Sequence, residues 1–206
     1  MKQEGETRYR IRRTRYVSIA AIMTALALIG MYALVGIPNV ELGTAILFVT
    51  ALLFGLEMGL GCMLTTAILY GSFNPWGGLI PQIWLSQVLG WLVVVIVGSF
   101  IGHQSPKTEE SRYNGGVFFS LGAVLTIYFD AMTNLGYSLA TGIPYSTAFI
   151  VGLPFMIIHV ISNTLIFGFA VPLLESIIRR EFGNDIWEPV TNKDRVNSSG
   201  TVEECV

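Results

Sequence analysis

Charge is nearly absent from the middle of this chain. From residue 16 to residue 178 the only charged side chains are Glu41, Glu57, Lys107, Glu109, Glu110, Arg112, Asp130 and Glu175. A stretch that long with so little charge cannot form the surface of a soluble domain. It reads as a bundle of membrane-spanning helices, each pairing its backbone groups within its own segment. The charges left inside such a bundle are costly, and they are the first candidates for function. Over the whole chain 13% of residues are charged, against about 25% in ordinary soluble domains. Mean hydropathy is +0.62. The 206 residues suffice for one compact membrane domain and no soluble domain of useful size.

Apolar segments run over 16–36, 44–72, 82–102, 116–141 and 147–178. The first follows a basic N-terminus, as a signal peptide would. Its apolar run of about 20 residues is too long for a typical cleaved leader, so it reads as a retained helix. The second segment is too long for one comfortable span of about 20 residues. Glu57, close to Gly55 and Gly59, suggests a tight turn near its middle, which makes six helices rather than five. The basic residues decide the count. With six helices the N-terminal arginines, Lys107 with Arg112, and Arg179 with Arg180 all face the cytoplasm. The expected fold is therefore all-α, a polytopic membrane protein with six transmembrane helices and both termini cytoplasmic. Residues 1–15 form a basic cytoplasmic N-terminus. Residues 16–180 form the transmembrane, substrate-binding domain, and 181–206 a polar cytoplasmic tail expected to be disordered. The outer loops, 37–43, 73–81 and 142–146, are short and each contains Pro.

Two polar pairs stand where the membrane makes them expensive. Asp130 and Asn134 in the fifth helix, and His159 and Asn163 in the sixth, are each spaced i,i+4 and share a face. Tyr128 lies nearby, off that stripe. At the standard helical rise His159 sits about 16 Å from the outer end of its helix, and Asp130 about 21 Å from the inner end of its own. Adjacent antiparallel helices bring such depths together. One reading is a polar pocket open to the outside. The other is interhelical glue, with Asp130 bonded to His159 and the two asparagines capping each other.

Further candidates cluster on the outer side. Asn39 and Glu41 lie in the first outer loop; taken alone Glu41 reads as a solvated loop charge, and its context, a short strip able to fold over a pocket mouth, raises it as a candidate. Tyr70, Asn74 and Trp76 lie around the second outer loop, with Trp84 and Gln87 at the start of helix four. Interfacial Trp and Tyr commonly serve as membrane anchors. Mixed with Asn and Gln, they also describe aromatic walls with a few placed hydrogen-bonding groups, as in a small-molecule site. In helix one, Ala21-x-x-x-Ala25 is a small-xxx-small pair that permits close helix approach, either within the bundle or onto a partner. The chain contains no P-loop, no Cys-x-x-Cys and no G-x-S-x-G motif. Active transport would need ATP hydrolysis supplied by another protein, or an ion gradient.

Taken together these residues resemble the S components, the substrate-binding membrane subunits of energy-coupling-factor (ECF) vitamin transporters. The features are the six-helix length, the basic N-terminus, the Ala21-x-x-x-Ala25 helix and the 37–42 loop. To these are added the Leu52-Leu-Phe-Gly55 run, Leu69-Tyr-Gly71 with Asn74-Pro75, and the 128–134 and 159–163 stretches. The resemblance covers about residues 10–180. It implies a transmembrane coupling protein and two cytoplasmic ATPases as partners, in the cell (plasma) membrane. It implies that Ala21 and Ala25 face the coupling protein and that Glu41 and its neighbours form part of a lid. The subunit would capture its ligand outside and topple in the membrane to release it.

The expected function is thus capture of a small water-soluble nutrient, with no catalysis, no cofactor, no metal and no nucleic acid. Glu41 and Asp130 favour a ligand with positive charge or several donors. Trp76, Trp84, Tyr70 and Tyr128 favour a planar ring. The alternative is an autonomous proton-coupled carrier using Asp130 and His159 as a relay. An intramembrane metal enzyme normally needs at least three protein ligands, and only one His lies within the apolar segments. A purely structural role would make Asp130 matter for stability alone.

Overall fold

The computed structural model describes residues 9–74, 77–103 and 115–189. Trp76, Pro75, Lys107, Arg112 and the tail from residue 190 lie outside the described residues. Six helices carry the chain: α1 (Arg13–Tyr32), α2 (Gly43–Phe54), α3 (Leu56–Ser72), α4 (Pro81–His103), α5 (Gly115–Thr141) and α6 (Tyr145–Ile186). Among the described residues the only other regular structure is an antiparallel pairing of β1 (Tyr9–Arg10) with β2 (Glu188–Pro189).

The expected all-helical architecture and its six segments are present. Four helices, α1, α4, α5 and α6, are long and apolar enough to cross a membrane. By contrast α2, at 12 residues, rises about 18 Å, short of a hydrocarbon core about 30 Å thick. Its position explains its brevity. Nearly every residue of α2 is buried, so it forms the centre of the bundle rather than part of its perimeter. Phe48 packs against Phe118 of α5 and Phe167 of α6, with ring centroids 6.2 and 5.1 Å apart. On the opposite side α4 comes close to the α2 backbone. A Cβ at Gly98 or Gly102 would collide with the carbonyl of Phe48 or Leu52, so this i,i+4 glycine pair sets the helix separation. The outer faces of α1, α5 and α6 carry exposed Ile, Leu, Val and Phe, which is the distribution a lipid-facing surface requires.

The turn expected near Gly55 is a one-residue break between α2 and α3. Gly55 adopts φ 87° and ψ 178°, a region open essentially to glycine alone. Only Gly142, Ile143 and Pro144 separate α5 from α6, so the two are antiparallel neighbours. Gly142 ends α5 in a left-handed conformation, φ 76°, and the Ser138 hydroxyl donates to the Ile143 carbonyl (2.7 Å).

Helix α6 runs further than its apolar segment, to Ile186. The charges at 179–181 do not stop it, because Arg179 Nε donates to Glu175 Oε1 (3.0 Å) one turn earlier, with both side chains buried. Beyond the helix Trp187 stacks on Phe54 at the end of α2, with ring centroids 5.9 Å apart. Glu175 lies about 45 Å along α6 from its start, past the thickness of a hydrocarbon core.

Candidate functional site

The end of the bundle away from β1 and β2 contains a cavity of about 520 Å³. Its walls come from the 33–42 loop with Met31 of α1 and Thr44 of α2 beside it, the C-terminal end of α3, residues 74 and 77–80, the N-terminal half of α4, and facing positions on α5 and α6. Asn39, Glu41, Tyr70, Asn74, Trp84, Gln87 and His159, chosen from sequence, all line it. A second cavity of about 340 Å³ lies alongside, lined by Asp130 and Asn134 among others. Asn39 and Phe155 line both and form part of the wall between them. Tyr128 is half-buried and lines neither. Asn163 is buried behind His159 and also lines neither.

The loop over the first cavity is held at both ends. Leu42 N–H donates to Gly30 O (3.0 Å), which ties the start of α2 to the end of α1. Glu41 Oε2 accepts from the Thr44 N–H (2.9 Å), capping α2 and matching the positive end of its dipole. Asn39, at φ 59°, donates from Nδ2 to Phe155 O (3.2 Å), and its carbonyl shares the Ser162 hydroxyl proton (3.1 Å) with His159 O (3.0 Å). Two bonds to α6 thus hold a residue in the left-handed region, which Asn tolerates better than most.

The floor is aromatic. Tyr32 and Tyr70 are 5.4 Å apart between centroids, Tyr70 and Trp91 6.3 Å, Trp91 and Phe129 5.6 Å, Phe129 and His159 5.9 Å. The line crosses from α1 through α3, α4 and α5 to α6. Trp91 Nε1–H donates to Thr44 Oγ1 (3.0 Å) and Trp84 Nε1–H to Ala67 O (2.9 Å), so both indoles line the cavity with ring carbons and no free N–H. Trp91, Phe129 and Phe155 were not singled out from sequence. The signal for Trp91 is the spacing Trp84, Gln87, Trp91, which sets all three on one helix face. Phe155 stands one turn before His159 on its stripe.

Behind this floor lies the polar pair. His159 Nδ1 is 2.8 Å from Asp130 Oδ1, with both residues buried. Asn163 Nδ2 donates to His159 Nε2 (3.0 Å) and to Thr126 Oγ1 (3.1 Å). This pattern is consistent when His159 carries its proton on Nδ1 and donates it to the carboxylate. Asn134 does not cap Asn163, as the glue reading expected. It donates instead to the Asp130 carbonyl in its own helix (2.8 Å), because an i,i+4 partner is nearer than one across the interface. Thr126, one turn before Asp130, takes the place that reading assigned to Asn134. Asp130 Oδ2 and Asn163 Oδ1 are buried without a hydrogen-bond partner among the described residues.

Among the described residues no three His, Cys, Asp or Glu side chains converge as metal ligands. On α1, Ala21 and Ala25 are both exposed, so this small-residue face points away from the bundle. The arrangement is suited to non-covalent recognition, with aromatic faces below, a carboxylate and an amide at the side, and a two-point latch above. Comparison of the chain with family models, with curated proteins and with solved structures found no match.

Proposed function

We propose that this protein is the substrate-capturing membrane subunit of an ECF-type importer for a small water-soluble nutrient. In this reading all six helices belong to the membrane domain, both termini are cytoplasmic, and the 520 Å³ cavity opens outwards in the plasma membrane. A separate coupling protein and two ATPases supply the energy, since the sequence contains no nucleotide-binding motif. The observation that carries the reading is the cavity itself. It gathers aromatic rings and hydrogen-bonding groups from five helices and two loops at a single end of the bundle. The outward face of Ala21 and Ala25 gives the coupling protein a smooth surface to pack against.

A second reading has one observation in its favour. His159 lines the first cavity, Asp130 lines the second, and the two are hydrogen bonded across the wall between them. A proton-coupled carrier acting alone would use that pair as its relay.

One experiment separates the two. Small molecules released from the purified protein are identified by mass spectrometry, and the compound found is then offered to vesicles containing this protein alone. A stoichiometric bound nutrient with no uptake under a proton gradient is the expected result. Uptake driven by the gradient alone would replace the first reading with the second.

A further inference from the structure

We propose that the cargo of the 520 Å³ cavity is a flat, nitrogen-bearing ring system with one positive charge and no anionic substituent. This inference rests on the reading of that cavity as the cargo site.

The flatness follows from the floor. A line of rings from Tyr32 to His159 offers stacking surface, and the Trp84 and Trp91 N–H groups are already spent on Ala67 and Thr44. What these indoles contribute to the lining is aromatic ring surface, and aromatic rings attract planar rings and cations alike.

The charge follows from which ionisable groups line the cavity. Among its described lining residues there is no Lys or Arg. His159 turns one ring nitrogen to Asp130 and the other to Asn163, and so has neither to spare for an anion. The amide end of α2, the natural seat for an anion, is taken by Glu41 through the Thr44 N–H. A bound carboxylate or phosphate would meet no compensating charge and would pay its desolvation in full. A cation meets Glu41, whose Oε1 has no hydrogen-bond partner among the described residues. The other acid nearby, Asp130, lines the second cavity and not this one, and gives Oδ1 to His159. Glu41 is thus the one carboxylate among the described residues that line this cavity, which sets the charge of the cargo at one. The Gln87 amide and the Tyr70 hydroxyl, likewise without side-chain partners among the described residues, are placed for the ring nitrogens and their N–H groups.

The same argument gives a selectivity. A phosphorylated or carboxylated form of the cargo is rejected, so any such group must be added after entry.

The test uses three probes that share one ring system: N-methylacridinium, acridine and acridine-9-carboxylate. Each is titrated calorimetrically into the purified full chain at pH 7.5, where they are cationic, neutral and anionic. The expected order is cation, neutral, anion, with the cation bound on the order of ten-fold tighter than acridine. Glu41→Gln is expected to bring the cation-to-neutral ratio close to one. The order on the unaltered protein decides the charge preference even if that variant does not fold. The proposal is overturned if the carboxylate binds as tightly as the cation, if the ratio survives Glu41→Gln, or if none of the three binds. Cation preference with uptake by this protein alone would sink the importer reading and leave the cargo class standing. Carboxylate preference in a protein that needs the ATPases would do the reverse.

Discussion

Asp130 Oδ1 and His159 Nδ1 lie 2.8 Å apart, joining α5 to α6 in the apolar interior, while Asn163 holds the other ring nitrogen. Losing the acceptor while keeping the donor buried is the expensive change. Asp130→Ala is expected to destabilise the protein by about 2–3 kcal/mol, and Asp130→Asn, which keeps an acceptor oxygen, by about 1 kcal/mol. Thermal unfolding in detergent reads the difference. Equal losses would mean that the pair is not formed.

Gly55 should tolerate no side chain. At φ 87° and ψ 178° its backbone is closed to L-residues, although a Cβ there would meet nothing within 4 Å. The cost of Gly55→Ala is therefore conformational, about 1–3 kcal/mol, with no steric part. Gly61, also with open space around it but inside α3, is the control, and Gly61→Ala is expected to be neutral or stabilising. Denaturation of the two variants side by side tests this, and equal effects would refute the strained-break account.

Arg179 and Glu175 form a buried pair in the far part of α6. Arg179→Ala leaves the Glu175 carboxylate buried without this partner, at an expected cost of about 3–5 kcal/mol. Replacing both together by Met and Leu is expected to recover most of that loss, because neither charge then has to be desolvated. A double variant no more stable than Arg179→Ala would show that the pair is not coupled.

Ala21 and Ala25 face outward on α1, so enlarging them costs the isolated protein little. Ala21→Leu and Ala25→Leu are each expected to change stability by less than about 0.5 kcal/mol. If this face packs on a coupling protein, the same variants abolish nutrient uptake by cells while ligand binding by the purified chain is unchanged. Full uptake with both leucines in place would place the docking face elsewhere.

Much of the architecture was legible because charge and Gly mark it. The sparse charges delimit the helices, and Gly55 beside Glu57 marks the break in the second segment. The role of α2 was not legible. Its residues are almost uniformly apolar, so no periodicity distinguishes a lipid-facing helix from one at the centre of the bundle. The extension of α6 to Ile186 was hidden for a different reason. Arg179, Arg180 and Glu181 look like the start of a solvated tail until Arg179 is seen to be buried against Glu175 within the helix. At the site, Asp130, Asn134 and His159, chosen for polarity at apolar depth, line the two cavities, while Asn163 and Tyr128 line neither. Phe129 was invisible, and Trp91 showed only in its spacing from Trp84 and Gln87, because an aromatic in a membrane helix is ordinarily an anchor or packing. What distinguishes them is their order in space, which comes from α3, α4, α5 and α6 meeting at one end.

The short link through Gly142, Ile143 and Pro144 divides the molecule mechanically. With three residues between them and the Asp130–His159 bond across their interface, α5 and α6 have no slack and behave as one stiff jaw. The loop of residues 33–42 has slack, since its hold on that jaw is two hydrogen bonds at Asn39. In the importer reading a cargo would enter by lifting the loop, whose hydrogen bonds to α6, worth about 1 kcal/mol each, set a threshold low enough to be crossed thermally. The α5–α6 unit would stay closed, and the part that gives would lie near the first turn, between α1 and α2.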